Sequence, residues 1–205
     1  MSTLEVGKIV PATGTAITLG DSGDTFTIPA SATLDVNGII DVTGATVTGL
    51  TTGKIGQVLQ AQKTDTFTTS ATVYTDITDL SISITPTATS SKILVMMSLN
   101  GNGKVAASGA AVRIMRDSTP IAVGDAAGDR LQGTSALYNT DVYASNAAVA
   151  TWLDEPNTTS AVVYKIQGFC TYGTNTFYIN RYNTDDDNVA RVRSVSTITV
   201  MEVLA

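Results

Sequence analysis

Residues 92–99 read Lys-Ile-Leu-Val-Met-Met-Ser-Leu. At the two-residue period of a strand, Ile93, Val95, Met97 and Leu99 fall on one face, and Leu94 and Met96 on the other. A strand with one wet face alternates apolar with polar residues. One that is apolar on both faces lies between a core and a second surface. The stretch therefore predicts a central strand, with a neighbouring subunit as one candidate for whatever covers its other face.

Working outward, Leu80-Ser81-Ile82-Ser83-Ile84 alternates cleanly and stops at Thr85-Pro86. Asn100-Gly101-Asn102-Gly103 has the composition of a tight turn. Residues 112–116 and 121–123 suggest a hairpin through Asp117-Ser118-Thr119-Pro120. Further strands are expected at 148–153, 161–169, 176–182 and 197–203, with turns at Glu155-Pro156-Asn157 and Tyr172-Gly173-Thr174-Asn175. No stretch has helical periodicity. About eight strands from Gln57 onward point to an antiparallel β-sandwich over residues 57–205, with jelly roll as the specific expectation.

The N-terminal part is built differently. Residues 1–66 contain one aromatic, Phe26, and the remaining 139 residues contain the other eleven. A closed core needs bulky side chains. Residues 15–50 nevertheless alternate in short segments: Ile17 with Leu19, Phe26 with Ile28, Leu34 with Val36, then an Asn37-Gly38 turn and Ile40 with Val42. So few apolar residues per segment do not hold a lone pair of strands together in water. Three copies around an axis would bury every segment and remove free edges. Residues 12–56 are therefore expected to form a trimeric β stalk. Residues 1–11 form a leader, in which Leu4, Val6, Ile9 and Val10 are the candidate residues for attachment to a larger assembly.

Composition narrows the chemistry. Charged residues make up 15% of the chain, against about 25% in an ordinary soluble domain. Threonine, at about one residue in six, fills the gap and suits wet strands. The net charge is −6 and there is no basic run, which argues against nucleic-acid binding. The longest purely apolar run, residues 93–97, is far short of a membrane span, and the first ten residues lack the pattern of a secretory signal. Cys170 is the single cysteine, so no intrachain disulfide forms. With no histidine, the commonest catalytic base and metal ligand is missing. The expectation is a non-enzymatic protein without a cofactor.

Several short motifs have two readings. Asp185-Asp186-Asp187-Asn188 supplies the oxygens that Ca²⁺ takes, or is a solvated acidic turn. Asp154-Glu155 beside Trp152 has the composition of a sugar-cleaving site, but neighbouring strand residues point to opposite faces. Asn157-Thr158-Thr159 matches a glycosylation acceptor, a chance pattern in a threonine-rich chain. Among the aromatics, Tyr138, Tyr172 and Tyr182 fall next to loops or long connections. With Asp185, Asp186, Asp187 and Asn188 they are the candidate receptor-binding residues.

The opening MSTLEVGKI and the segment DSGDTFTIPASATLDVNG resemble the repetitive β stalks of bacteriophage fibres. SSKILVMMSLNGNG, VRIMRDSTPIAVGD, WLDEPNTTSAVVYKIQG, TFYINRYN and STITVMEV resemble the compact C-terminal heads of the same trimeric fibre and receptor-binding proteins, particularly those of marine tailed phages. The resemblance implies a homotrimer with a jelly-roll head, similar in outline to tumour-necrosis-factor-like trimers. It also implies a virion location, after assembly in the host cytoplasm. The N-terminus would contact a phage tail or capsid protein, and the head a host surface glycan or protein. A tail fibre is the first expectation. A capsid fibre or decoration protein, a polysaccharide depolymerase and a complement-head-type binding module are the rivals.

Overall fold

In the computed structural model the two-sided stretch lies at the centre of a sheet. The structure describes Thr25, Thr27, Ile28, residues 33–38, 54–103 and 109–138, Tyr143, and residues 145–172 and 175–204. The chain divides into two compact units, Met1–Leu50 and Thr51–Ala205. In the first, the described residues are exposed and lie outside any strand, Leu34 and Val36 included. The segments around Ile17, Leu19, Phe26, Ile40 and Val42, and the attachment residues Leu4, Val6, Ile9 and Val10, lie outside the described residues.

The described part of the second unit is all-β. Its strands are β1 (Ile55–Lys63), β2 (Phe67–Thr69), β3 (Thr75–Ile84), β4 (Lys92–Gly103), β5 (Gly109–Arg116), β6 (Thr119–Ile121), β7 (Ser135–Tyr138), β8 (Asn146–Asp154), β9 (Val162–Cys170), β10 (Phe177–Ile179) and β11 (Ser196–Val203). One sheet runs β1-β11-β4-β10-β2, with β8 on the other side of β4; the second runs β3-β9-β5-β6, with β7 also paired to β5. Every pairing is antiparallel. Along one side of β4, β11 pairs with residues 92–98 and β10 with 101–103. The short β10 and β2 thus prolong the places of β11 and β1.

Alternation puts the core between the two sheets, as in a β-sandwich. Ile93, Val95 and Leu99 of β4 are fully buried, as are Ile198 and Val200 of β11. They pack in one cluster with Val112 and Ile114 of β5 and Tyr164 and Ile166 of β9. Three charged side chains are also buried, Lys63, Asp154 and Glu202. The Lys63 ammonium donates to Asp65, two residues along the chain (2.7 Å), and reaches across to a bulge in β3 to donate to Thr78 (2.9 Å) and Asp79 (3.2 Å). Glu202 accepts from the Thr87 N–H (2.6 Å), the Thr87 hydroxyl (2.7 Å) and Gln57 (2.8 Å). Each ion meets full hydrogen-bond partners, which is what makes its burial tolerable.

Four sequence expectations are corrected. Asn100-Gly101-Asn102-Gly103 is not a turn but the end of β4, paired to β8 and β10. The reason is space: a Cβ on Gly101 would lie 3.0 Å from Leu137, Phe177 and the Tyr178 carbonyl. The hairpin after β5 turns on Asp117 and Ser118 alone, so its second strand is Thr119–Ile121 rather than 121–123. Asp117 takes the left-handed φ of 51° that so tight a turn requires. The strand expected over 176–182 stops at Ile179, because Asn180 has a φ of 61°. Tyr138 ends β7 instead of lying in a long connection.

Candidate binding surface

Strand direction gives the second unit two distinct poles. Ile55, the first residue of β1, pairs with Val203, the last of β11, and Val203 pairs with Lys92, the first of β4. At the opposite end, Gly101 of β4 pairs with Asn146, the first residue of β8, and Tyr138 pairs with Gly109, the first of β5. Ala110 pairs there with Cys170, the last residue of β9. At about 3.3 Å per residue, the twelve residues of β4 separate the poles by roughly 35 Å. The chain comes in from residue 54 at the near pole. The connections that follow β4, β7 and β9 emerge at the far pole.

Three tyrosines stand exposed at the far pole: Tyr138 (53%), Tyr143 (53%) and Tyr172 (60%). Tyr172 begins a turn closed by the Asn175 N–H on its carbonyl at 2.9 Å. The buried Cys170 thiol donates to the same carbonyl at 3.5 Å, so Cys170 anchors the loop and is shielded from solvent. Tyr138 is steadied by Asn146, whose Nδ2 donates to the Tyr138 carbonyl at 2.7 Å.

Residues 180–195 leave between β10 and β11. They are held against the first sheet by Asn100, which donates to the Val195 carbonyl (2.7 Å), and by the Arg181 guanidinium 4.7 Å above the Tyr178 ring. Tyr182 is half-buried here. Arg181 donates to its carbonyl at 3.0 Å and to that of Asn183 at 2.9 Å. Asp185 pairs with Arg193 (2.7 Å) and Arg181 (3.4 Å), and Asp186 with Arg191 (3.0 Å). Asp187 is exposed, and the Asn188 side chain accepts from the Ala190 N–H at 2.9 Å. Arg191 also lies 4.2 Å above the Tyr143 ring, which joins this segment to the far-pole tyrosines.

Two acidic motifs thereby acquire definite roles. The guanidinium groups occupy Asp185 and Asp186, and among the described residues no three or more His, Cys, Asp or Glu side chains converge as metal ligands do. Asp154 points inward, accepting from the Tyr164 hydroxyl (2.6 Å) and Arg116 (3.0 Å), while Glu155 is exposed and paired with Lys92 at 2.6 Å. The two carboxylates face apart and do not flank a common space. Burial, and then the Asp154 carboxylate, push the Tyr164 hydroxyl up, so Tyr164 stays a neutral donor.

Arg181, Arg191 and Arg193 were not singled out from the sequence. The available signal was the spacing Arg181 to Asp185, together with two arginines close behind three aspartates. Three arginines against three aspartates leave this segment without net charge. Exposed tyrosine faces beside charge-balanced polar groups suit the apolar faces of uncharged sugar rings or side chains. The chain matches no known family model, and no curated protein is significantly similar to it.

Proposed function

We propose that this chain is a homotrimeric bacteriophage fibre protein, and that its working role is host-surface attachment as a tail fibre. The N-terminal leader fastens it to the virion and the trimeric stalk gives reach. The head is a jelly roll, and successive strands cross between its two sheets: β2 to β3, β3 to β4, β4 to β5, β7 to β8, β8 to β9 and β9 to β10. The observation that carries the reading is the polarity of the second unit. The chain comes in at the pole of Ile55, and the exposed tyrosines stand at the other. A fibre head needs that order, anchored behind and exposed ahead. Three weak sites on one trimer then gain avidity through effective concentration.

Competition for host cells tests it. Full-length protein added in excess should slow adsorption of phage carrying it. Tyr138→Ala, Tyr143→Ala or Tyr172→Ala should weaken that competition at least several-fold without altering the β-rich circular dichroism. Folded protein that neither binds host cells nor delays adsorption ends the tail-fibre reading. The same result with particles that carry the protein around the capsid favours a capsid fibre instead.

A further inference from the structure

The outer face of the sheet β1-β11-β4-β8 is uncharged and half apolar over three rows of residues. Val58, Met201, Leu94 and Leu153 are direct cross-strand neighbours and form one unbroken row over four strands. The next two rows add Met96 and Val149, and their other positions are Gln, Thr or Ser. None of the twelve positions is charged. Val58, Leu153 and Val149 are 55%, 45% and 68% exposed. The outer face of the other sheet is the opposite case. There Asp76 accepts from Lys165 and Gln167 at 2.7 Å each, and Arg113 donates to Gln167 at 2.9 and 2.7 Å.

Among the described residues the edge beside this face, β8, pairs on one side only, with β4. β8 pairs with β4 without a register break from Asn146 to Asp154, and residues 146–153 contain no charge and no proline. Long, flat, uncharged edges invite pairing, and proteins that leave them in water usually blunt them. Leu153 and Val149 belong to both the edge strand and the uncharged rows, so face and edge form one surface.

We propose that this surface is where copies of the chain meet, the outer face of β1-β11-β4-β8 turned inward to neighbouring copies with β8 at the seam. The proposal rests on the trimeric reading above and names the face it uses. Area and charge select the occupant. Four strands at about 4.8 Å and three rows at about 6.7 Å make roughly 400 Å². That lies within the range of the largest patch a monomer leaves bare, and is half of the roughly 800 Å² each partner brings to a standard interface. Such a face is too small to hold a freely diffusing partner. It is sufficient between copies already held together by another part of the chain, because tethering supplies the missing association free energy. A partner for an uncharged face must itself be uncharged there, in a chain of net charge −6, and this face in a second copy meets that requirement.

Thiol labelling on the full-length protein decides it, since the native Cys170 is buried. Val58→Cys and Leu153→Cys place single reporters at the two ends of the row, and Ser83→Cys places one on the exposed outer side of β3. In protein whose light-scattering mass is about three times 21.3 kDa, the first two should react with a maleimide at least tenfold more slowly than Ser83→Cys. Denaturant should equalise the three rates. Rates within twofold of each other in protein of trimer mass overturn the interface and leave the fibre reading standing. A single-chain mass overturns both, and slow labelling at that mass shows that the chain covers its own face.

Discussion

Glu202 is a carboxylate carried by alternation onto the buried face of β11. Burial alone would raise its pKa, but the hydroxyl and N–H of Thr87, with Gln57, outweigh that and hold it at about 2, below its usual 4.5. The sign follows: the unfolded chain takes up the proton first as pH falls. The stabilisation is therefore complete above about pH 5 and disappears as pH falls toward 2. Glu202→Gln presents an amide to those donors and should cost about 1–3 kcal/mol at neutral pH. Thermal unfolding at pH 7 and pH 3 checks this, because the gap between wild type and variant should shrink at the lower pH. A gap independent of pH would mean that the charge does not matter. At this scale the sequence was least legible. Lys63 and Glu202 are the single charged residues of their strands, and their partners Asp79 and Thr87 belong to a bulge and a loop that only the folded chain brings near. The pairing of Arg191 with Asp186 and Tyr143 was hidden for the same reason.

Among the elements, β4 was readable from 92 to 99 because both its faces carry apolar side chains, but its continuation was mistaken for a turn. Glycine has two uses, turning the chain and letting other groups approach, and composition does not distinguish them. Gly101 serves approach, and so does Gly168, where a Cβ would lie 2.9 Å from the Phe177 ring. The two glycines clear room for one aromatic that closes the far end of the core. Gly101→Ala should destabilise by about 1–3 kcal/mol through overpacking. Gly124→Ala, with nothing within 4 Å of the added carbon, should be near neutral. Denaturant midpoints measure both, and equal midpoints would show that the Phe177 contact yields freely. The three- and four-residue strands β2 and β7 gave too little alternation to register. β7 exists because the longer β5 supplies its hydrogen bonds, and β2 because β10 carries the sheet on from β4.

For the molecule as a whole, the distribution of bulky side chains was the informative property. The eleven aromatics after residue 66 fall in the unit Thr51–Ala205, which also contains every residue of the described core cluster. The all-β class was legible there because strands such as β9, with its buried and half-buried residues in strict alternation, write their period into the sequence. The far-pole surface was legible only in part. Tyr138 and Tyr172 are recognisable as loop-adjacent aromatics, but their common pole depends on strand directions that no local pattern encodes. If the second unit is complete in its core, a fragment of residues 51–205 should fold alone, with a β-rich spectrum and one cooperative melt. The fragment 1–50 should not, since each of its segments offers two apolar residues per face at about 25 cal/mol per Å² buried. Removing residues 1–50 also removes the proposed tether, so the fragment 51–205 should associate more weakly than the full chain. Its sedimentation should shift from trimer toward monomer on dilution through the micromolar range. A fragment that stays unfolded, or a monomeric 1–50 peptide with stable β-structure, would contradict the division of the chain into a self-sufficient head and a stalk that needs its own copies.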